Sequence, residues 1–247
     1  MTVERLEAGT IYFFYRPRVV DEHVGSLDDV RRLQIVLHPW AGQSLRLLVL
    51  GNKRLPDSTA QERAWCFVDR VAPGPEDLDE SLGERTYRTR TRGLRVQPAA
   101  RPVGEGAYLI GRHGDHTHLA FELEAPRRPG AAQRELGIAA EAGYLVAVRN
   151  PAAPPSPEEG RRRPHGPLAV GVPAAHFGDR RFIPLDPPEL LDHRGIDLVL
   201  LSAGPQAARE LGLRPEPGAE SVAHRTLIED LRIGRRHRLL EPLSAGE

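Results

Sequence analysis

Several residue types and sequence patterns are scarce in this chain, and each of these absences excludes some classes of protein. The single cysteine, Cys66, excludes an internal disulfide, and its apolar neighbours Trp65 and Phe67 predict a buried thiol. No run approaches the roughly 20 apolar residues that a membrane-spanning helix needs. The first seven residues lack the basic and then apolar pattern of a signal peptide. We therefore expect a soluble, cytoplasmic protein with no membrane partner.

The chain also lacks net charge. Acidic and basic side chains number 34 each, and Lys53 is the only lysine, so arginine supplies almost all of the positive charge. Because arginine is common throughout, a local basic run carries less weight than usual. A neutral protein has no global field that would draw it to nucleic acid or anionic lipid. We expect a small molecule or another protein as its partner, rather than nucleic acid.

What the chain does contain is many short strand-like runs. Several alternate polar and apolar residues, which is typical of sheets with one solvated face. Short helical candidates with cap or stop signals lie between them, so the order predicts strand, short helix, strand units. We therefore predict an α+β fold with mixed, mostly antiparallel sheets. The strand-like runs are 10–19, 33–38, 45–50, 64–71, 86–92, 107–112, 117–124, 144–150, 181–185 and 196–201, and the helical candidates are 26–29, 75–82, 130–136 and 188–193.

Two segments set the predicted domain boundaries. Residues 151–167 are rich in proline and cannot bury themselves, so we expect a mobile loop there. Residues 204–247 carry polar helical patterns and a basic cluster at 235–238, which is favourable at a helix C-terminus. We predict one main α+β domain over residues 1–203 and a helical C-terminal extension over residues 204–247.

Three histidines lie close together around one predicted turn. A two-residue turn at 114–115 places His113 opposite His116 in a hairpin. Strand alternation then puts His113, His116 and His118 on one face. The opposite face is apolar and comprises Tyr108, Ile110, Leu119, Phe121 and Leu123.

Two interpretations of these three histidines remain open. Opposed residues have Cβ atoms about 5 Å apart, from which three imidazoles can converge on one divalent metal ion. The chain would then be a metal-assisted hydrolase or isomerase with Asp115 or Glu105 as its general base. The other interpretation is a solvated polar hairpin that binds no metal. The sequence indicates no cofactor besides this metal.

An aromatic strand is the second candidate site. Residues 12–18 end in Arg16 and Arg18 on one face, a pair that can hold an anionic ligand. The alternative is a core strand with solvated arginines at its end, where Pro17 indicates a strand edge or terminus. Phosphate-loop, dinucleotide-binding and nucleophile-elbow motifs are missing from the sequence.

The segments GTIYFFYRPRV, residues 9–19, and TRTRGLRVQPAARPVGEGAY, residues 89–108, carry a family resemblance. They resemble the signatures of a widespread uncharacterised family of bacteria and fungi, some of whose fungal members are labelled BTB domain transcription factor. The similarity covers about 9–150 and 181–201. The family pattern keeps a residue like His118 but has other types at Asp115 and His116. The resemblance therefore points to ligand contacts at Arg16, Arg18, Arg95, Glu105 and His118.

The sequence thus predicts a binding or interaction protein whose sheet presents a polar, anion-binding pocket near Arg16, Arg18 and Glu105. A metal-assisted enzyme is the alternative, and whether the chain is an enzyme stays open at this point. Transcription or nucleic-acid binding is a third class, which follows from the family label. Copurifying metal would distinguish the enzyme, and salt-sensitive affinity for a contiguous arginine surface would distinguish nucleic-acid binding.

Overall fold

The computed structural model describes residues 4–18, 24–41, 44–57, 60, 62–91, 93–154 and 166–202. Its main feature is a closed antiparallel barrel of eight strands. A separate hairpin of two strands leaves this barrel, and one further short strand extends it. The strands are β1 (Glu4–Pro17), β2 (Val30–Pro39), β3 (Leu45–Leu50), β4 (Arg63–Ala72), β5 (Arg85–Thr89), β6 (Gly93–Gln97), β7 (Arg101–His113), β8 (His116–Ala125), β9 (Glu141–Arg149), β10 (Phe182–Pro184) and β11 (Asp197–Ser202).

Pairing between strands that are distant in sequence closes the barrel. Neighbouring strands follow the order β1, β2, β3, β4, β11, β9, β8 and β7, and β7 pairs with β1 again. His118 lies opposite Leu145 where β8 meets β9, and Leu198 lies opposite Val148 where β11 meets β9. Closure leaves no open edge along the ring of strands, so their backbone groups pair on both sides.

Apolar side chains fill the interior of the barrel. Alternation along β1 directs Ile11 and Phe13 inward, and both are fully buried. The ring centroids of Phe13 and Phe121 are 5.0 Å apart, and those of Phe121 and Tyr144 are 6.5 Å apart. The apolar void beside Cys66 has a volume of about 10 Å³, roughly the space of one water molecule. Among the described residues, this interior is therefore packed core, and the void beside Cys66 is too small for a ligand.

Short helical segments cover both ends of the barrel. Helix α2 (Ala131–Glu135) packs against the core at one end. The 3-10 helix Pro188–Asp192 covers the other end. Arg46 of β3 ties this second segment to the barrel, because its Nε lies 2.7 Å from Asp192 Oδ1 and its Nη1 lies 2.7 Å from Glu7 Oε2.

A second apolar cluster lies on the outer surface of β1, β2 and β3. The covering segment contains the 3-10 helix Pro75–Leu78 and helix α1 (Asp79–Leu82). Tyr12 and Phe14, which point outward from β1, are buried beneath it. The same segment leads directly into β5, so its packing fixes where the β5–β6 hairpin leaves the barrel.

The prediction of an α+β fold with mixed sheets is wrong. The fold is mostly β, and every strand pair of the described residues is antiparallel. The helical candidates form segments of three to eight residues that join strands or cover the barrel, and none of them is long enough to build a helical layer. The predicted strand, short helix, strand units therefore do not organise the fold.

Two other predictions fall wholly or partly outside the described residues. The mobile loop predicted over 151–167 includes residues 155–165, and the helical extension predicted over 204–247 lies entirely beyond residue 202. The division into a main domain and an extension therefore stays a prediction. Within the described ranges, no helix has both the length and the apolar character that crossing a membrane requires.

Candidate functional site

The β7–β8 hairpin has the register that the sequence predicts. His113 pairs with His116 across the turn. Gly114 has a φ of 61°, a conformation that glycine adopts without strain. The predicted apolar face packs into the core through Tyr108, Ile110, Leu119, Phe121 and Leu123.

On the polar face of this hairpin, His116 and His118 differ in exposure to solvent. His116 is exposed, and its Nε2 lies 3.2 Å from Asp115 Oδ1. His118 is buried and lies where β9 pairs with β8, with Leu145 opposite it. Among the described side chains, which do not include that of His113, no three potential ligands group around a metal position. The metal site stays a prediction, which metal analysis of protein purified without an affinity tag would test.

Arg16 holds the end of β1 against the chain on either side of the β5–β6 hairpin. Its guanidinium donates to the carbonyl oxygens of Ser81 at 2.5 Å, Gly83 at 3.2 Å and Pro98 at 2.7 Å. Burial, together with the charges of nearby arginines, lowers the pKa of Arg16 to about 10. Arg16 therefore positions the hairpin, and its predicted contact with a ligand stays a prediction.

Gln97, at the end of β6, anchors the other side of the hairpin. This buried side chain donates through Nε2 to the carbonyl oxygen of Pro17 at 2.8 Å. Its Oε1 accepts a hydrogen bond from the Arg31 guanidinium. Displacing a buried amide that both donates and accepts would leave polar groups unsatisfied. The hairpin is thus fixed at its base, with Arg31 beside it.

The hairpin itself is mostly exposed and mixes charged with apolar side chains. Tyr87 pairs with Arg95 on one face, and Arg88 pairs with Leu94 on the other. Leu94 is 69% exposed, Val96 is 43% exposed and Tyr87 is 39% exposed. Leu94 and Val96 are exposed together on one face, and apolar side chains that are exposed together rather than singly are typical of interaction sites.

The two faces and the loop of this hairpin, together with the start of β2, carry six described arginines, which we name the arginine surface. Buried Arg16 lies beneath it, within electrostatic range of three of its members. Among the described residues, no carboxylate forms an ion pair with Arg88, Arg90 or Arg95. The arginine surface comprises Arg31, Arg32, Arg85, Arg88, Arg90 and Arg95.

The remaining sequence-predicted ligand contacts are only partly brought together. Arg95 belongs to the arginine surface, and Arg18 is exposed just beyond the end of β1. Glu105 lies on β7 opposite Tyr12, where burial and the charge of Glu105 raise the pKa of the Tyr12 hydroxyl. His118 lies on β8, in a different part of the barrel. The predicted pocket near Arg16, Arg18 and Glu105 stays a prediction.

A polar cleft of about 710 Å³ opens beside β4 and β11. Arg54 and Glu62 in this cleft pair with each other at 2.9 Å, and Ser202 Oγ donates to the carbonyl oxygen of Asp57 at 2.6 Å. Arg54, Glu62 and Ser202 thus already have partners, which makes this cleft a weaker candidate than the arginine surface. The described lining comprises Asn52, Arg54, Leu55, Glu62, Arg63, Leu201 and Ser202.

Sequence reasoning missed most of the side chains that mark this surface. One signal was present, because residues 85–97 contain five arginines and no acidic residue. In a chain whose positive charge is almost entirely arginine, that run by itself does not distinguish a surface from composition. The missed residues are Arg31, Arg32, Arg85, Tyr87, Arg88, Arg90, Leu94 and Val96.

Comparison with known proteins adds no family to this description. No family model, curated protein or solved structure matches the chain. The resemblance of residues 9–19 and 89–108 to an uncharacterised family therefore stays a prediction.

Proposed function

We propose that this chain is a binding protein that recognises an anionic partner through the arginine surface. The observation that carries this proposal is the exposed β5–β6 hairpin, on which Arg88, Arg90 and Arg95 stand without ion-pair partners among the described residues. An anionic partner would supply the negative charges that pair with these arginines.

The chemistry of the hairpin suits recognition of carboxylates or phosphates. A guanidinium presents a planar fork of donors that matches both groups in a bidentate geometry. Arginine and tyrosine are also enriched at the centres of protein interfaces, where they contribute much of the binding energy. Tyr87, Leu94 and Val96 add exposed apolar area beside the charges. A mixed surface of this kind binds more selectively than charge alone.

The rest of the described chain offers no comparable surface. The barrel interior is filled by its own side chains. In the polar cleft, Arg54 is paired with Glu62. These comparisons favour the arginine surface as the place where this protein binds.

Charge reversal on the hairpin tests the proposal. Fluorescence anisotropy would follow the binding of three labelled probes in low salt: a glutamate-rich peptide, a single-stranded oligonucleotide and a duplex. The double variant Arg88→Glu, Arg95→Glu should bind its best probe at least about tenfold more weakly than the original chain. The matched control is Arg180→Glu, an exposed arginine next to β10 at the opposite end of the barrel.

The control variant should bind within about twofold of the original chain, and added salt should weaken binding because it screens exposed charges. The proposal is wrong if none of the probes binds. It is equally wrong if the double variant and the Arg180→Glu control lose the same affinity.

A further inference from the structure

We propose that the partner is a protein segment with alternating acidic and apolar residues, which adds as a third strand to the outer edge of β6. This inference rests on the proposed function, because it names the partner of the arginine surface. It requires an available strand edge, a matching side-chain pattern and a hairpin that is already rigid.

The strand edge comes from the sheet order. The β5–β6 hairpin is a sheet of two strands, and no other strand of the described residues pairs with it. Among the described residues, no backbone group pairs with the outer side of β6, so an incoming strand can pair with its N–H and C=O groups. Addition of an extended peptide to such an edge is a common form of recognition, in which the backbone gives affinity and the side chains give specificity.

The side-chain pattern comes from the alternation along β6. Leu94 and Val96 lie on one face of the hairpin, and Arg95 lies on the other. Neighbouring side chains on paired strands have Cβ atoms about 5 Å apart, so an added strand would place its residues beside these three in turn. Apolar residues would meet Leu94 and Val96, and an acidic residue would meet Arg95. The fitting segment therefore alternates apolar and acidic residues.

The rigid base makes strand addition less costly. Gln97 is fixed by its hydrogen bonds to Pro17 and Arg31, and Arg16 holds the chain at Ser81, Gly83 and Pro98. A binding strand that is already ordered loses little conformational freedom when the partner arrives.

A second copy of this chain fits the edge poorly. Pairing of two β6 edges would bring the arginines of one hairpin beside those of the other. Like charges directly across a strand pair are destabilising, and they exclude wrong partners. The acidic side chains of the proposed partner strand would instead be attracted to these arginines.

Nucleic acid also fits less well than a short acidic strand. The chain as a whole is neutral, whereas nucleic-acid-binding domains are typically strongly basic. The segment just before the hairpin, residues 76–84, contains five carboxylates. A long polyanion that extends past the hairpin would approach these carboxylates, whereas the pairing of an added strand with β6 covers only five residues, or about 17 Å.

The test compares four probes on the full chain by fluorescence anisotropy. The first is a labelled peptide of four Val-Glu repeats, and the second is the same peptide with its central four amides N-methylated. N-methylation keeps every charge but removes the backbone donors that strand addition needs. A single-stranded oligonucleotide and a duplex are the other two probes. Two protein variants are compared with the original chain. One is the double variant Leu94→Thr, Val96→Thr, and the other is the Arg180→Glu control.

We expect the Val-Glu peptide to bind, and both N-methylation and the Leu94→Thr, Val96→Thr variant to weaken it at least about tenfold. Equal binding of the two peptides would overturn strand addition while leaving the anion-binding function intact. Binding of an oligonucleotide but not of either peptide would do the same. If no probe binds, the inference and the proposed function both fail.

Discussion

At the scale of single residues, Arg16 connects the barrel to the hairpin that carries the proposed site. Its three hydrogen bonds reach carbonyl oxygens at Ser81, Gly83 and Pro98. The substitution Arg16→Met keeps much of the apolar stem but removes all three donors. We expect it to lower the free energy of unfolding by about 2–4 kcal/mol, measured by urea denaturation.

The matched control for that experiment is Arg88→Met, which removes an exposed arginine from the hairpin. Its free energy of unfolding should stay within about 0.5 kcal/mol of the original chain. Equal losses in the two variants would mean that the Arg16 contacts do not hold the hairpin in place.

Cys66 provides a second residue-scale prediction. The side chain is 1% exposed, and burial raises the pKa of its thiol. Thiol reagents attack the thiolate, so the folded protein should not react with Ellman's reagent over hours. In urea the same measurement should detect one reactive thiol per chain. A fast reaction in native buffer would contradict the packed barrel interior.

His38 gives the fold a predicted pH dependence. Its Nδ1 is buried without a hydrogen-bond partner among the described atoms, and burial lowers the pKa of the imidazole below its usual 6.5. As the pH falls through about 6.5, the unfolded chain takes up a proton that the folded chain resists. Stability should therefore decline below about pH 6.5, until the folded-state pKa is reached.

A His38→Gln variant isolates this effect. The difference in free energy of unfolding between the original chain and the variant should change between pH 7.5 and pH 5.5, in the direction of a less stable original chain at low pH. Urea denaturation at several pH values measures it. A difference that does not vary with pH would show that this imidazole does not contribute.

At the scale of elements, the residue pattern of a short segment predicted those features that depend only on contacts within that segment. The register of the β7–β8 hairpin, including the pair His113 and His116, follows from a two-residue turn and from strand alternation. The burial of His118 does not follow from either. It depends on Leu145, which β9 supplies from further along the chain. The sequence therefore predicted that His116 and His118 share a face but not that His118 is buried while His116 is exposed.

The prediction of the fold class was wrong because it also relied on local signals alone. Each helical candidate has genuine local signals, such as the capping box at Ser26 and Asp29, but these signals specify one turn and not a helical layer. The closure of the sheet depends on the pairing of β8 with β9 and of β9 with β11. Such pairings leave no mark in the sequence that alternation alone can detect.

The 3-10 helix Pro188–Asp192 gives an element-scale prediction. Arg46 joins it to the barrel through Asp192, and Arg46 also neutralises Glu7 in a mostly buried position. The substitution Arg46→Met leaves the Glu7 carboxylate without this cation. We expect a loss of about 3 kcal/mol, seen as a fall of about 6–12 °C in Tm.

The control is Arg54→Met, which breaks the more exposed ion pair with Glu62. Exposed pairs contribute about 0–1 kcal/mol, so its Tm should fall by no more than about 4 °C. If Arg46→Met is as well tolerated as Arg54→Met, the barrel end does not depend on the Arg46 contacts.

At the scale of the whole molecule, a filled barrel directs attention to the outer surface. Its interior leaves a void of about 10 Å³, and short segments cover both of its ends. The binding site that we propose therefore lies on the outside, on the β5–β6 hairpin, which is exposed and strongly basic. The overall composition does not indicate this surface, because the acidic residues that bring the net charge to zero lie outside residues 85–97.

The most direct test of the account is an NMR titration of the ¹⁵N-labelled full chain with the Val-Glu peptide. Chemical-shift changes map where a partner binds without assuming a site. We predict that the largest changes fall on the amides of residues 85–97. Changes concentrated instead at the histidine hairpin, residues 113–118, or at the polar cleft around Arg54 and Glu62, would contradict the assignment of function to the arginine surface.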